Sequence, residues 1–136
     1  MTDIRFEEIE TGKSFSFERT LSKDDVAVFA RLTGDKNPHH VDESFGKASV
    51  FKANIVHGML AGGLFSTLVG MHCPGQNCLY LTQSLNFRKP LRPGCLVLVQ
   101  GEVISKIDSL RILVIKTRIT CCGELAIDGE ARVKLI

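Results

Sequence analysis

The five cysteines, Cys73, Cys78, Cys95, Cys121 and Cys122, form no C-x-x-C pair, and their odd number leaves at least one thiol outside any internal disulfide framework. A reducing compartment is the expectation. Strong charge of either sign is also missing, since a net charge of +2 is too weak to point to nucleic acid as a partner. The one basic cluster, Arg88 and Lys89 with Arg92, sits in FRKPLRPG, where two prolines and a glycine mark a turn. It reads either as a solvated turn or as a phosphate contact.

No leader is visible. MTDIRFEEIETG holds four acids against Arg5, so it looks like neither a secretory signal nor an Arg-rich transit peptide. A cytoplasmic location is expected, or the mitochondrial matrix if a transit peptide has been removed. No apolar run reaches the roughly 20 residues that a membrane span requires. The longest, IVHGMLAGGLFSTLVGM from Ile55 to Met71, carries His57 near its start and is expected to be a buried helix. Its Gly58 and Gly62 would let a sheet approach closely rather than dimerise in a membrane. With no repeat, linker or low-complexity stretch, the 136 residues predict one domain, 1–136, around one core.

What is present orders itself along the chain. KSFSFERT alternates Phe15 and Phe17 with polar residues, a strand signal. Ser22 with Asp25 makes a capping box, Val26, Phe29 and Ala30 follow at helical spacing, and Thr33-Gly34 supplies a stop. The loop TGDKNPHHVD comes next, then a short helix from Glu43 to Ala48, then the apolar helix, which ends at CPGQN. The remainder reads as strands: CLYLTQSLNF, with Leu79, Leu81, Leu85 and Phe87 on one face, then CLVLVQGEVISKI, LRILVIKTRITCC and LAIDGEARVKLI, divided by turn signals. An antiparallel meander is expected, wrapping the helix on one side and covered on the other. This α+β order is what a hot-dog fold requires, an antiparallel sheet around a long central helix. Its free edge strand would find a partner in a homodimer.

Chemistry concentrates between Thr33 and Asp42. Asp35 and His40 stand five residues apart on a loop stiffened by Pro38, whose ring also pushes Asn37 towards an extended conformation. A stiff loop fixes the separation of a carboxylate and an imidazole, the pair most used for acid and base work near neutral pH. The competing reading is a capped turn whose polar groups merely satisfy the backbone. Gly58, at the start of the apolar helix, adds a backbone N–H able to receive a developing negative charge.

GDKNPHH followed by IVHGMLAGGLFSTLVG, and then by PGQNCLYLTQSLNFRKPLRPG and a closing GEARVKL, resembles the signature of the (R)-specific enoyl-CoA hydratases in the MaoC-like dehydratase family. The resemblance runs from about Ser22 to the C-terminus. It implies reversible syn addition of water across a trans-2-enoyl thioester of coenzyme A or acyl carrier protein. The product is the (R)-3-hydroxyacyl thioester, made in a hot-dog homodimer without metal or organic cofactor. Carried over residue by residue, Asp35 and His40 are the catalytic pair, Gly58 the oxyanion-hole glycine and Ser66 a support for the acid, with Asn37 also supporting. Arg88, Lys89 and Arg92 would meet the carrier's phosphate or acidic surface. His39 departs from the apolar residue usual before the catalytic histidine, and Asn54 stands where proline is common.

Other chemistries are less well supplied. Ser66 with a histidine and an aspartate invites a hydrolase, but no G-x-S-x-G elbow is present and Ser66 lies inside the apolar helix. His40-Val41-Asp42 with His57 has the composition of a two-histidine, one-carboxylate metal site, yet its ligands would have to assemble within one loop and helix start. Related hot-dog thioesterases resemble one another in placing an acid on or beside the central helix, and Ile55 to Met71 holds none. A non-catalytic acyl-thioester binding module would have lost Asp35 or His40. His57 is expected to be satisfied by a backbone group, and His72 is assigned no function.

Overall fold

The computed structural model describes residues 1–136. After a short turn that buries Phe6 and Ile9, the alternating residues of Ser14–Thr20 form β1. Helix α1 (Lys23–Thr33) begins where expected: the Ser22 hydroxyl accepts from the Asp25 N–H, and the Asp25 carboxylate accepts from the Ser22 N–H. It ends at Gly34, whose φ of +83° is left-handed, a conformation that glycine adopts without a Cβ penalty. Two further turns, α2 (Pro38–Val41) and α3 (Glu43–Ala48), complete the segment before the apolar run.

The central helix differs from its expected form. Ile55 and Val56 are extended, their N–H groups donating to the His39 and Leu91 carbonyls at 3.1 and 2.8 Å, so the helix starts at Gly58 instead. It then runs in three pieces: α4 (Gly58–Gly62), α5 (Leu64–Thr67) and a wider π-wound turn at Leu68–His72. Gly63, a weak helix former, marks the first break. Ala61, Leu64, Phe65, Leu68 and Val69 are buried against the sheet.

The sheet comprises β1, β2 (Cys78–Gln83), β3 (Asn86–Phe87), β4 (Leu96–Ile107), β5 (Ile112–Cys121) and β6 (Glu124–Leu135). Its order is β1-β4-β5-β6-β2, with β3 also on β6. The meander therefore holds for β4, β5 and β6 only. CLYLTQSLNF splits into two strands that both pair with β6, and a bulge between Tyr80 and Thr82 interrupts the first. The break follows from Ser84, whose Oγ accepts the Glu130 N–H at 2.9 Å and holds the chain out of regular pairing. Leu79, Leu81 and Phe87 are exposed rather than core-facing. The second face of the sheet is also not covered: Val97, Val99 and Val103 point inwards, while Lys116 and Arg118 meet solvent. One-sided alternation is the usual pattern of an antiparallel sheet with one wet face.

Register decides the cysteine chemistry. Val97 lies opposite Cys121, which brings Cys95, just ahead of β4, into a disulfide with Cys121. Cys73, Cys78 and Cys122 are free. No helix is long and apolar enough to cross a membrane.

Candidate active site

The polar segment after α1 is held by a chain of short side-chain bonds. The Asp35 N–H donates to Thr33 Oγ1 at 3.3 Å, the Asn37 N–H to Asp35 Oδ1 at 3.2 Å, and the His39 N–H to Asn37 Oδ1 at 3.0 Å. Asn37 is thus the N-cap of α2, with Pro38 as its first residue. An Asn-Pro pair at N-cap and N1 is a helix-start signal in the sequence itself, although the stretch reads there as a loop. Asp42 caps α3 through the Phe45 N–H at 2.9 Å, and the carboxylate that comes together with His40 and His57 is that of Asp35, not the Asp42 of the H-x-D metal reading.

Asn54 locks this segment from the other side. Its Nδ2 lies 3.3, 3.0 and 2.8 Å from the carbonyls of Pro38, His39 and Asp42, a role that a proline at this position could not fill. Nothing local to Asn54 signals it, because all three partners come from a segment 12 or more residues away.

His40 and His57 stack at the centre, ring centroids 3.8 Å apart. His40 Nδ1 sits 2.7 Å from the Ile55 carbonyl oxygen. A carbonyl only accepts, so the neutral ring carries its proton on Nδ1 and presents the Nε2 lone pair to the site. The same logic puts the proton of neutral His57 on Nε2, which is 3.0 Å from the Asp35 carbonyl oxygen. His57 is 2% exposed and packs on Phe29, so the backbone-satisfied role expected of it is the one observed. A carboxylate oxygen of Asp35 and a ring nitrogen of each histidine lie within 4.8 Å of one another. Ligation of a metal through His57 Nε2 would break its bond to the loop carbonyl, so the trio is arranged for hydrogen bonding.

Beside this trio lies an apolar cavity of about 370 Å³, with Phe51, Val56, Met59, Phe87 and Leu91 among its walls and His40 and Gly58 on its lining. Gly58 is the first residue of α4, so its N–H precedes the helix's own hydrogen bonding. A Cβ there would stand 2.7 Å from the Phe87 ring, so only glycine lets that ring close over the helix start. Arg88 and Lys89 also line this cavity, but each is paired, with Asp128 at 3.2 Å and Glu124 at 2.8 Å. Arg92 faces a different cavity. Ser66 is exposed on α5 and forms no side-chain hydrogen bond within the chain, so the single chain does not join it to Asp35. His39 packs edge-on to Phe45 and Phe51, the aromatic packing taking the place of an apolar side chain. His72 stacks on Phe17.

The chain as a whole is similar to known proteins. A family model described as "MaoC like domain" matches residues 5–121. The chain is 41% identical to an (R)-specific enoyl-CoA hydratase of Aeromonas caviae, covering 93% of this chain and 96% of that protein. It is 38% identical to a 3-hydroxybutyryl-CoA dehydratase of Methylorubrum extorquens, covering 97% and 84%. Among solved structures, an (R)-hydratase from A. caviae involved in PHA biosynthesis superposes with a TM-score of 0.93 at 39% identity, covering 96% of this chain and 99% of that one. With a sheet wrapped round a central helix and the GDKNPHH and HGML segments meeting at one cavity, the chain has the hot-dog fold and belongs to the MaoC-like domain family.

Proposed function

We propose that the protein interconverts trans-2-enoyl and (R)-3-hydroxyacyl thioesters by syn addition and loss of water. The observation that carries this reading is the grouping of the Asp35 carboxylate with His40 beside an apolar cavity that His40 and Gly58 both line. In the hydration direction, water held between His40 and Asp35 attacks C3, and His40 Nε2 takes its proton. The proton passes from the His40 imidazolium to the Asp35 carboxylate, the acid grouped with it, and Asp35 delivers it to C2 from the same side, so both groups return to their starting states. Between these events negative charge gathers on the thioester oxygen, where the Gly58 N–H stabilises it. Both additions come from the His40 side of the cavity, which makes the addition syn.

The hydrophobic walls suit an acyl chain. The lack of an acid on the central helix, Gly58 to His72, favours hydration over thioester hydrolysis. We also read the protein as a homodimer: β2 is an outer edge of the sheet, and Leu79 and Leu81 upon it are exposed. The test is the ultraviolet absorbance of crotonyl-CoA, coupled to (R)- or (S)-specific hydroxyacyl-CoA dehydrogenases. Loss of the enoyl signal with only the (R) coupling active is expected. Appearance of free thiol with the enoyl group intact would establish a thioesterase instead.

A further inference from the structure

The cations that the sequence clusters together are separated by the fold, and others far apart in sequence are gathered. Arg88 and Lys89 are neutralised by Asp128 and Glu124. Arg92 instead lines a second cavity of about 170 Å³ with Lys23, Lys47 and Lys52, where the only acid is Glu43. Glu43 is itself taken up by Lys47 at 3.0 Å, and that ion pair lowers the Glu43 pKa. Lys23, Lys52 and Arg92 form no ion pair. The Arg92 guanidinium donates to the Phe51 carbonyl at 2.9 Å, which anchors it at the rim. Lys52 adopts a left-handed backbone with φ +59°, where glycine would be less strained.

This basic cavity shares lining residues with one that His40 borders. A third cavity is lined by Lys23, Glu43, Asn54 and Pro93, all of which also line the basic one, and by His40 at its other side. His40 therefore borders two cavities, the apolar one beside Gly58 and the one that reaches towards the cations. An acyl chain and a polar carrier arm would leave the thioester in these two directions.

We infer that Lys23, Lys47, Lys52 and Arg92 form a cradle for the phosphate groups of coenzyme A. This rests on the thioester hydratase reading and adds the subsite that holds the carrier. Three unpaired cations, Lys23, Lys52 and Arg92, beside the Lys47–Glu43 pair on one small cavity suit compact, multiply charged phosphates. The extended acidic face of a carrier protein would need a broader surface.

The test compares crotonyl-CoA with crotonyl-N-acetylcysteamine, a thioester without phosphates, using wild type, Lys23→Gln/Lys52→Gln and a charge-matched control, Lys116→Gln/Lys134→Gln, on exposed sheet positions. The cradle variant should raise KM for crotonyl-CoA about tenfold, as the loss of two cation-phosphate contacts implies, with kcat and the KM for the short thioester unchanged. The control should leave all of these values at wild type. An equal rise for both thioesters, or no rise, overturns the inference, as does an effect confined to enoyl-acyl carrier protein. If wild type turns over neither thioester, the hydratase reading fails and calorimetry with adenosine 3′,5′-bisphosphate decides the cradle separately. Binding lost in the cradle variant supports it; absent or unchanged binding overturns it.

Discussion

The β4–β5–β6 meander and the rim from Gly34 to Gly58 are built on opposite plans. In the meander, β4 pairs with β5 and β5 with β6 along nearly their full lengths, and Leu113, Ile115 and Ile119 are fully buried beneath them. The rim has two short helical turns and is tied down by single polar side chains: Asn37, Asp42, Asn54 and His57. A ladder spreads its stability over many bonds and a hydrophobic layer, so a single change in it costs stability and leaves chemistry alone. On the rim one atom often does one task, so a single change alters chemistry at little cost in stability.

The sharpest way to break this contrast is at the catalytic pair. Asp35→Asn and His40→Gln are each expected to lower kcat with crotonyl-CoA by about 10² to 10⁴, with melting temperatures close to wild type by calorimetry. A fall in melting temperature as large as that of a core variant would make the pair structural and end the distinction.

Gly58→Ala should follow, costing roughly 10² or more in kcat as the oxyanion contact is disturbed. Adding Phe87→Ala sharpens the result. Full recovery in the double variant would show that the alanine methyl acts only by striking the Phe87 ring, 2.7 Å from its position, since alanine keeps the backbone N–H.

From the sheet, Leu113→Ala should cost about 2 to 5 kcal/mol in urea unfolding while the folded enzyme keeps its kcat. Asn54→Ala tests the border between the regions. Losing its bonds to three carbonyls should cost roughly 1 to 3 kcal/mol, and because His40 sits on the released turn, kcat should fall more steeply than in the Leu113 variant. An Asn54 variant with full activity would show that the rim holds its shape without this clamp.

The smallest effect concerns pH. Burial pushes the Cys73 thiol up from 9.0 to about 11, so between these values the unfolded chain releases a proton that the folded chain retains. Stability is present below about pH 9 and declines as pH rises towards 11. Cys73→Ala should flatten that decline in denaturation measured from pH 8 to 11.

Some of this was legible without coordinates. Ser22, Asp25 and Gly34 mark the ends of α1 because caps and stops act within a turn of chain. Helix α3 likewise spans Glu43–Ala48 as expected. The boundaries that shifted depend on distant partners. Ile55 and Val56 stay extended because the His39 and Leu91 carbonyls receive their N–H groups. Leu79 and Leu81 leave the core because β2 crosses to the far side of β6.

The candidate site divides in the same way. Asp35, His40 and Gly58 were readable as residue types at a spacing, since a stiff loop and a helix start are local objects. The cation cradle was not: Lys23, Lys47, Lys52 and Arg92 share no motif, while the visible cluster Arg88-Lys89 turned out to be neutralised.

For this protein the sequence by itself determined the fold class, the order of its elements and the residue types of the proposed catalytic pair, because alternation, capping and loop stiffness act over a few residues. Tertiary structure alone decided which His40 nitrogen faces the site, which cations remain unpaired and which strand lies at the edge. Each of those depends on a carbonyl, a carboxylate or a strand brought from a distant part of the chain.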